Sequence, residues 1–287
     1  MIISIASGKG GTGKTTVATS LALVAKNMLE TSVCYADCDV EEPNAALFLR
    51  PELAQSQDVH VLVPEVDESV CTHCGRCAEV CQFHAIAVIR DKVLTFPDLC
   101  HGCGSCTLMC PVGAISEAPH KLGAIEWSQG DGLHFVHGML DVGMPMAPPI
   151  IHKVRQKARE LNGDGLYILD APPGTSCPVV ETLRGSDVAL LVTEPTPFGL
   201  HDLDLAVRLS RDELGLPVGV VINRDGIGDR RVDEYCEKEG VDVVMRIPFE
   251  RGIAEAYSRG VPLVESRPEY RARFEDLLGH LLQEKAR

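Results

Sequence analysis

The chain has 287 residues, 45% hydrophobic and 24% charged, which is ordinary for a globular protein and long enough for a buried core. Asp and Glu outnumber Lys and Arg by 41 to 27, and a formal charge of −14 argues against unassisted binding to nucleic acid or to an anionic membrane. Twelve cysteines without a signal-peptide pattern argue against a disulfide framework; no apolar run approaches the roughly 20 residues that span a bilayer, so the expectation is a cytoplasmic protein without a membrane or nucleic-acid partner.

The first sixty residues read as βαβ. An apolar strand at 2–6 meets the glycine-rich run GKGGTGKT at 8–15, and residues 15–30 carry helical spacing through Val17, Leu21, Val24, Ala25 and Met28. The run matches G-x4-G-K-[ST] at Gly8, Gly13, Lys14 and Thr15. Its position between a strand and a helix makes Gly8, Gly10, Gly11, Thr12, Gly13, Lys14, Thr15 and Thr16 the expected nucleotide contacts. There, backbone N–H groups at a helix N-terminus converge on phosphate oxygens. Lys14 would neutralise the β- and γ-phosphates, and the Thr15 hydroxyl would bind Mg²⁺. A second strand at 32–36 ends at Asp37 and runs into Cys38-Asp39-Val40-Glu41-Glu42-Pro43.

After Val63-Pro64 the composition turns rich in cysteine and glycine, and it returns near Pro119. Residues 64–118 are therefore expected to be an inserted module, with 1–63 and 119–287 as one discontinuous domain. Within the insertion the chain repeats itself: CTHCGRCAEVCQFHAI from Cys71 and CHGCGSCTLMCPVGAI from Cys100, each cysteine recurring 29 residues on. C-x2-C-x2-C-x3-C is the ligand run of a [4Fe-4S] cluster, and in two-cluster ferredoxins the fourth cysteine serves the other cluster. That assigns Cys71, Cys74, Cys77 and Cys110 to one cluster and Cys100, Cys103, Cys106 and Cys81 to a second. Zinc is the rival reading of C-x2-C pairs, and the duplicated spacing weighs against it. Cys110 precedes Pro111 whereas Cys81 precedes Gln82, a difference in the turn that leaves the ligand set intact.

Residues 123–138 alternate around a Gly-Asp-Gly turn and predict a β-hairpin. A Gly/Pro/Met loop at 141–149 and a helix at 150–161 follow, then a strand at 166–169 ending in Asp170-Ala171-Pro172-Pro173-Gly174. Strands at 188–193, 218–223 and 243–247 alternate with helices at 203–213 and 232–239. The closing segment, with Phe274, Leu277, Leu278, Leu281 and Leu282, reads as a helix packed on the core. This alternation predicts an α/β fold, a doubly wound and mostly parallel sheet covered on both faces. Cys34, Cys38 and Cys236 read as packing residues.

The run KGGTGKTT, with Lys9 ahead of Lys14, resembles the deviant Walker A of the MinD/ParA/Mrp-type P-loop ATPases, here with an inserted two-cluster ferredoxin-like α+β domain. The resemblance extends over nearly the whole chain. It implies ATP and Mg²⁺ as cofactors beside the two clusters, and a homodimer or a heterodimer with a similar ATPase, in which Lys9 crosses to the partner's nucleotide. It makes 37–43 the switch I segment and 170–174 the Walker B and switch II segment. It assigns Lys9, Lys14 and Asp39 to catalysis, with Asp37 as rival to Asp39 for positioning water, Asp170 to Mg²⁺, and Asn223 to the base. Gly226 stands where a guanine-reading Asp would, which favours adenine. Cys177 lies seven residues after Asp170, the offset at which the nitrogenase iron protein of this superfamily carries a cluster ligand, but with no clear second cysteine for a subunit-bridging cluster it reads as a structural or redox-sensitive thiol in preference to a ligand. Eight cysteines within one chain favour retained clusters and ATP-gated electron transfer to a redox protein. Iron–sulfur or metal-cofactor assembly, as in the Mrp-like members, is the alternative. A MinD-like positioning role is the least supported, since no basic tail is visible.

Overall fold

In the computed structural model, which describes residues 1–284, the short apolar runs become strands and the amphipathic segments between them become helices. The strands are β1 (Ile2–Ala6), β2 (Val33–Asp37), β3 (Gln55–Val66), β4 (Ile86–Ile89), β5 (Lys92–Thr95), β6 (Ile115–Gln129), β7 (Leu133–Leu140), β8 (Leu166–Asp170), β9 (Val188–Thr193), β10 (Val218–Asp225) and β11 (Asp242–Pro248). The helices are α1 (Lys14–Met28), α2 (Ala46–Leu49), α3 (Arg76–Val80), α4 (Ser105–Leu108), α5 (Pro148–Asn162), α6 (Cys177–Leu183), α7 (Pro197–Val207), α8 (Arg231–Glu239), α9 (Arg251–Ser258), α10 (Leu263–Ser266) and α11 (Tyr270–Glu284). Two compact units result. One holds Met1–Ser56, Ile125–Met139 and the described chain from Ile151 on; the other holds Gln57–Ala124 and Leu140–Ile150.

The larger unit is α/β, as its strand–helix alternation predicts. Its strand order is β11-β10-β9-β1-β8-β2-β7-β6, and the ladders from β11 to β7 are parallel. Every residue of β2, β8 and β9 is buried, which explains why these strands are continuous apolar runs and not alternating ones. On one face Ile5, Val17, Leu21, Tyr35, Ile168 and Leu190 pack with Phe274 and Leu278, so the closing helix covers the core as expected. On the other, Leu183, Leu191, Leu203, Val207, Val220 and Cys236 form a second core.

Some elements differ from the sequence reading. The helix expected at 203–213 begins at Pro197, because Thr196 caps it by accepting from the Gly199 N–H at 3.0 Å, and Pro at the first position is pre-set for a helix. Its tail, Arg208–Glu213, widens into a π-helical turn. The loop expected to reach Pro149 already enters α5 at Pro148. Strand β3 escaped the pattern because it is exposed along much of its length, with polar Gln55, Ser56 and Gln57 at its start.

In the smaller unit β3 lies beside β6, and β4 pairs antiparallel with β5 from Ile86↔Thr95 to Ile89↔Lys92. The 29-residue repeat is visible in the backbone. Left-handed residues recur in step: His73 (φ 56°) with Gly102 (63°), Gly75 (81°) with Gly104 (70°), and His84 (52°) with Gly113 (66°). The halves also clasp each other by matching bonds, Asp67 N–H to the Ala114 carbonyl and Phe96 N–H to the Ala85 carbonyl, both at 2.8 Å.

Candidate functional site

The glycine loop leaves the carboxyl end of β1 and turns into α1 through Gly13, whose φ of 99° is open to glycine at little cost. A Cβ on Gly13 would stand 2.3 Å from Asn223 Nδ2, and one on Gly8 would stand 2.1 Å from the Asp202 carbonyl oxygen. Both glycines are therefore fixed by close approach. The loop is tied down by its own hydrogen bonds: Ser7 Oγ to the Lys9 carbonyl at 2.6 Å, and Gly174 N–H to the Ser7 carbonyl at 3.0 Å. Thr12, Lys14 and Thr16 are buried; Gly8, Lys9 and Thr15 are half-buried; Gly10 and Gly11 are exposed. With the first N–H groups of α1 behind them, these residues form a cradle suited to polyphosphate.

Three carboxylates face Lys14. Asp37 ends β2 and Asp170 ends β8, directly opposite each other in register, and both are 1% exposed. Asp37 is committed locally: its oxygens accept from the Asp39, Asn44 and Ala45 N–H groups, each at 3.1 Å. Burial, with Asp170 beside it, holds its carboxyl well above the ordinary range. Asp39 is half-buried and its carboxyl is pushed up to about 6 by burial, a rise that Lys14 opposes. Burial also raises Asp170, against the pull of Lys14 and of the Thr15 and Tyr35 hydroxyls. The Tyr35 hydroxyl donates to Asp170 Oδ2 at 2.8 Å, while Oδ1 is buried with no hydrogen-bond partner among the described residues. A buried carboxylate oxygen held aside in this way, next to the Thr15 hydroxyl, fits an outer ligand of Mg²⁺. Burial lowers the Lys14 ammonium, and the three carboxylates counter the effect.

Lys9 is paired within its own chain, its ammonium donating to Glu194 just past β9. Glu194, 7% exposed, also accepts from Arg224 at 2.9 Å, and Arg224 reaches the Gly11 carbonyl at 3.1 Å. Asn223 donates from Nδ2 to the Thr12 carbonyl at 2.7 Å. Tyr35, Glu194 and Arg224 were not anticipated from the sequence. For Glu194 and Arg224 the available signal was their place at the carboxyl ends of β9 and β10, where ligands of open α/β sheets bind, whereas Tyr35 lies in the middle of β2.

All eight repeat cysteines lie in the smaller unit. One small pocket is ringed by Cys71, Cys74, Cys77 and Cys110, with Val66, Val88, Val93 and Ile115 behind them. A second is ringed by Cys81, Cys100, Cys103 and Cys106, with Leu62, Phe83 and Ile86. Sulfurs in corresponding positions accept matching backbone bonds: His73 N–H to Cys71 and Gly102 N–H to Cys100 at 3.4 Å, Ala85 N–H to Cys81 and Ala114 N–H to Cys110 at 3.2 Å. Four convergent thiols in an apolar ring with N–H donors on sulfur suit an iron–sulfur cluster, for which such donors stabilise thiolate charge. Burial raises the Cys77, Cys100 and Cys106 thiols, whereas hydrogen bonding from Ser105 lowers Cys103. The surroundings differ. Phe83 and His101 stack at 3.7 Å in the lining of the second pocket, while Glu68 and His73, 2.9 Å apart, stand by Cys71. Outside the repeat Cys34, Cys38 and Cys236 are buried, and Cys177 is exposed at the start of α6.

The CobQ/CobB/MinD/ParA nucleotide binding domain family matches residues 3–263. An uncharacterized protein of Methanocaldococcus jannaschii is 30% identical over 91% of this chain and 90% of its own. A protein of Pyrococcus abyssi named iron-sulfur cluster carrier protein is 25% identical over 91% of this chain and 78% of its own. Among solved structures, the septum site-determining protein MinD of Pyrococcus horikoshii with Mg-ADP superposes with a TM-score of 0.59 at 22% identity, covering 98% of this chain and 95% of that one. That likeness shows the fold. No helix among the described residues is long and apolar enough to cross a membrane.

Proposed function

This chain belongs to the CobQ/CobB/MinD/ParA nucleotide binding domain family, and from that premise we propose that it is a Mg²⁺-dependent ATPase whose nucleotide cycle gates electron transfer through two [4Fe-4S] clusters. Residues 8–16 would hold the phosphates, with Lys14 neutralising charge and the Thr15 hydroxyl and Asp170 Oδ1 holding Mg²⁺, the latter through water. Asp39 would orient the attacking water, since Asp37 has its oxygens committed to three backbone N–H groups. Lys9 would leave Glu194 and neutralise charge on the nucleotide of a second subunit, identical or similar. Cys71, Cys74, Cys77 and Cys110 would hold one cluster and Cys81, Cys100, Cys103 and Cys106 the other. Bound there, the clusters would supply one-electron exchange with a protein partner.

The observation that carries this reading is the completeness of the thiol sets: each pocket is ringed by four cysteines of the same chain. A donor of clusters needs a labile site, often completed across subunits. A second reading, ATP-dependent cluster carriage to an acceptor protein, is favoured by the name of the Pyrococcus abyssi relative. Anaerobic purification separates the two. Iron and sulfide are expected at about eight each per chain, following the two-cluster arithmetic. Clusters retained with ATP and an apo-acceptor, together with nucleotide-dependent reduction of a redox dye, support gating. Transfer of the clusters to the acceptor supports carriage, and stoichiometric zinc without sulfide would overturn both.

A further inference from the structure

Arg155 on α5 is 9% exposed, yet among the described residues it forms no ion pair. Its Nη1 donates to the Glu181 carbonyl and its Nη2 to the Arg184 carbonyl, 26 and 29 residues along the chain. These carbonyls close the C-terminal turn of α6, where no intrahelical partner is available and a cation is favoured. Burial raises the Cys38 thiol, and the charge of Arg155 opposes the rise. Cys38 stands between Asp37 and Asp39. Helix α6 starts directly after the segment 170–176, whose Gly174 is bonded to the glycine loop. Arg155 thus bonds the end of the helix that follows Asp170. Its own helix begins at Pro148, and residues up to Ile150 belong to the cysteine-rich unit.

A buried cation without a carboxylate is a poor stability device, since an apolar residue of similar volume packs there at no charge-burial penalty. What the fork offers is position, because two parallel donors hold α5 to α6 in one register. We infer that Arg155 is the positioning residue that makes α5 follow the nucleotide-facing segments, and so carries nucleotide state to the cysteine-rich unit. This rests on the gating reading given above. When the 170–176 segment moves with the γ-phosphate, α6 moves at its N-terminus, and the bonded carbonyls at its other end take α5 with them. Energy comes from the different affinities of the two states for ATP and ADP.

The test reads reduction of the clusters by anaerobic titration with EPR detection, in protein loaded with ADP or with a non-hydrolysable ATP analogue. Wild type is expected to show about a tenfold nucleotide-dependent change in the reduction equilibrium, equivalent to about 59 mV for a one-electron couple. Arg155→Met is expected to keep its iron, sulfide and nucleotide affinity but lose that difference, with Arg155→Lys intermediate. A purely structural role would lower the melting temperature equally in both nucleotide states and leave the difference intact, which would overturn the inference while gating stands. Absence of nucleotide dependence in wild type would overturn gating and the inference together. Should the variants not fold, hydrogen exchange in wild type decides. Amides of α5 and α6 are expected to change together between nucleotide states, and a change in α6 with α5 unmoved would refute the coupling.

Discussion

Changing Tyr35 to Phe removes a single oxygen from the floor of the nucleotide site. The ring stays, because its stack on Phe135, centroids 5.8 Å apart and planes within 4°, does not involve the hydroxyl. What disappears is the 2.8 Å hydrogen bond to Asp170 Oδ2, leaving that carboxylate buried with Lys14 and Thr15 as its remaining support. A hydrogen bond to a charged acceptor is worth about 1.5–3 kcal/mol net. At 1.36 kcal/mol per factor of ten, that loss is about 10- to 100-fold in favour of the protonated form, and the Asp170 carboxyl, already raised by burial, should rise further. Mg²⁺ competes with that proton. The Mg²⁺ concentration for half-maximal ATPase activity should therefore climb about 10- to 100-fold, most strongly at the acid end of a series from about pH 6 to about pH 8. Nucleotide binding without Mg²⁺ serves as the control and should be unchanged. Identical Mg²⁺ dependence of wild type and Tyr35→Phe throughout that series would refute the assignment of Asp170 to the metal.

Gly13→Ala forces a left-handed φ on alanine and sets its Cβ 2.3 Å from Asn223 Nδ2, breaking the Asn223–Thr12 bond; together these should cost about 2–3 kcal/mol in urea unfolding, and an unchanged midpoint would contradict this. The folded Asp39 carboxyl, at about 6 against an ordinary 3.8, binds its proton more tightly than the unfolded chain does. Its contribution is therefore present below 3.8 and lost as pH rises through about 6, so in nucleotide-free protein the stability of wild type relative to Asp39→Asn should decline across that window. A difference that grows with pH would show the opposite shift. Lys14→Ala should abolish nucleotide binding. Lys9→Ala should bind ATP normally yet lose ATP-dependent dimerisation in sedimentation and at least about tenfold in hydrolysis, as expected for a charge supplied in trans; normal hydrolysis would rule out that role.

Much of the larger unit was legible because its strands obey one rule. Buried parallel strands such as β2, β8 and β9 are unbroken apolar runs, and the residues that end β2 and β8, Asp37 and Asp170, stand out as charges at the sheet edge where ligands bind. The glycine loop was legible for the same reason, being a break in pattern between β1 and α1. Strand β3 was not, since an exposed strand has no burial to impose alternation. Nor could the sequence say which carboxylate at the end of β2 is free. In the folded turn Asp37 is buried and takes three backbone N–H groups from 39–45, whereas Asp39 is left half-buried beside Lys14. The intrachain pairing of Lys9 with Glu194 joins residues 185 apart and left no local trace.

The matched clasp between the halves of the cysteine repeat has a consequence for folding. Asp67 at the head of the first half is bonded to Ala114 at the tail of the second, Phe96 at the head of the second is bonded to Ala85 at the tail of the first, and each thiol ring takes its fourth sulfur from the opposite half. The halves are related as two hands in a grip, and neither encloses a full ring alone. Such a unit gains or loses order as a whole, so damage to one cysteine propagates to both rings. The halves are not identical: His73 and His84 occupy left-handed positions at which their counterparts, Gly102 and Gly113, are glycine.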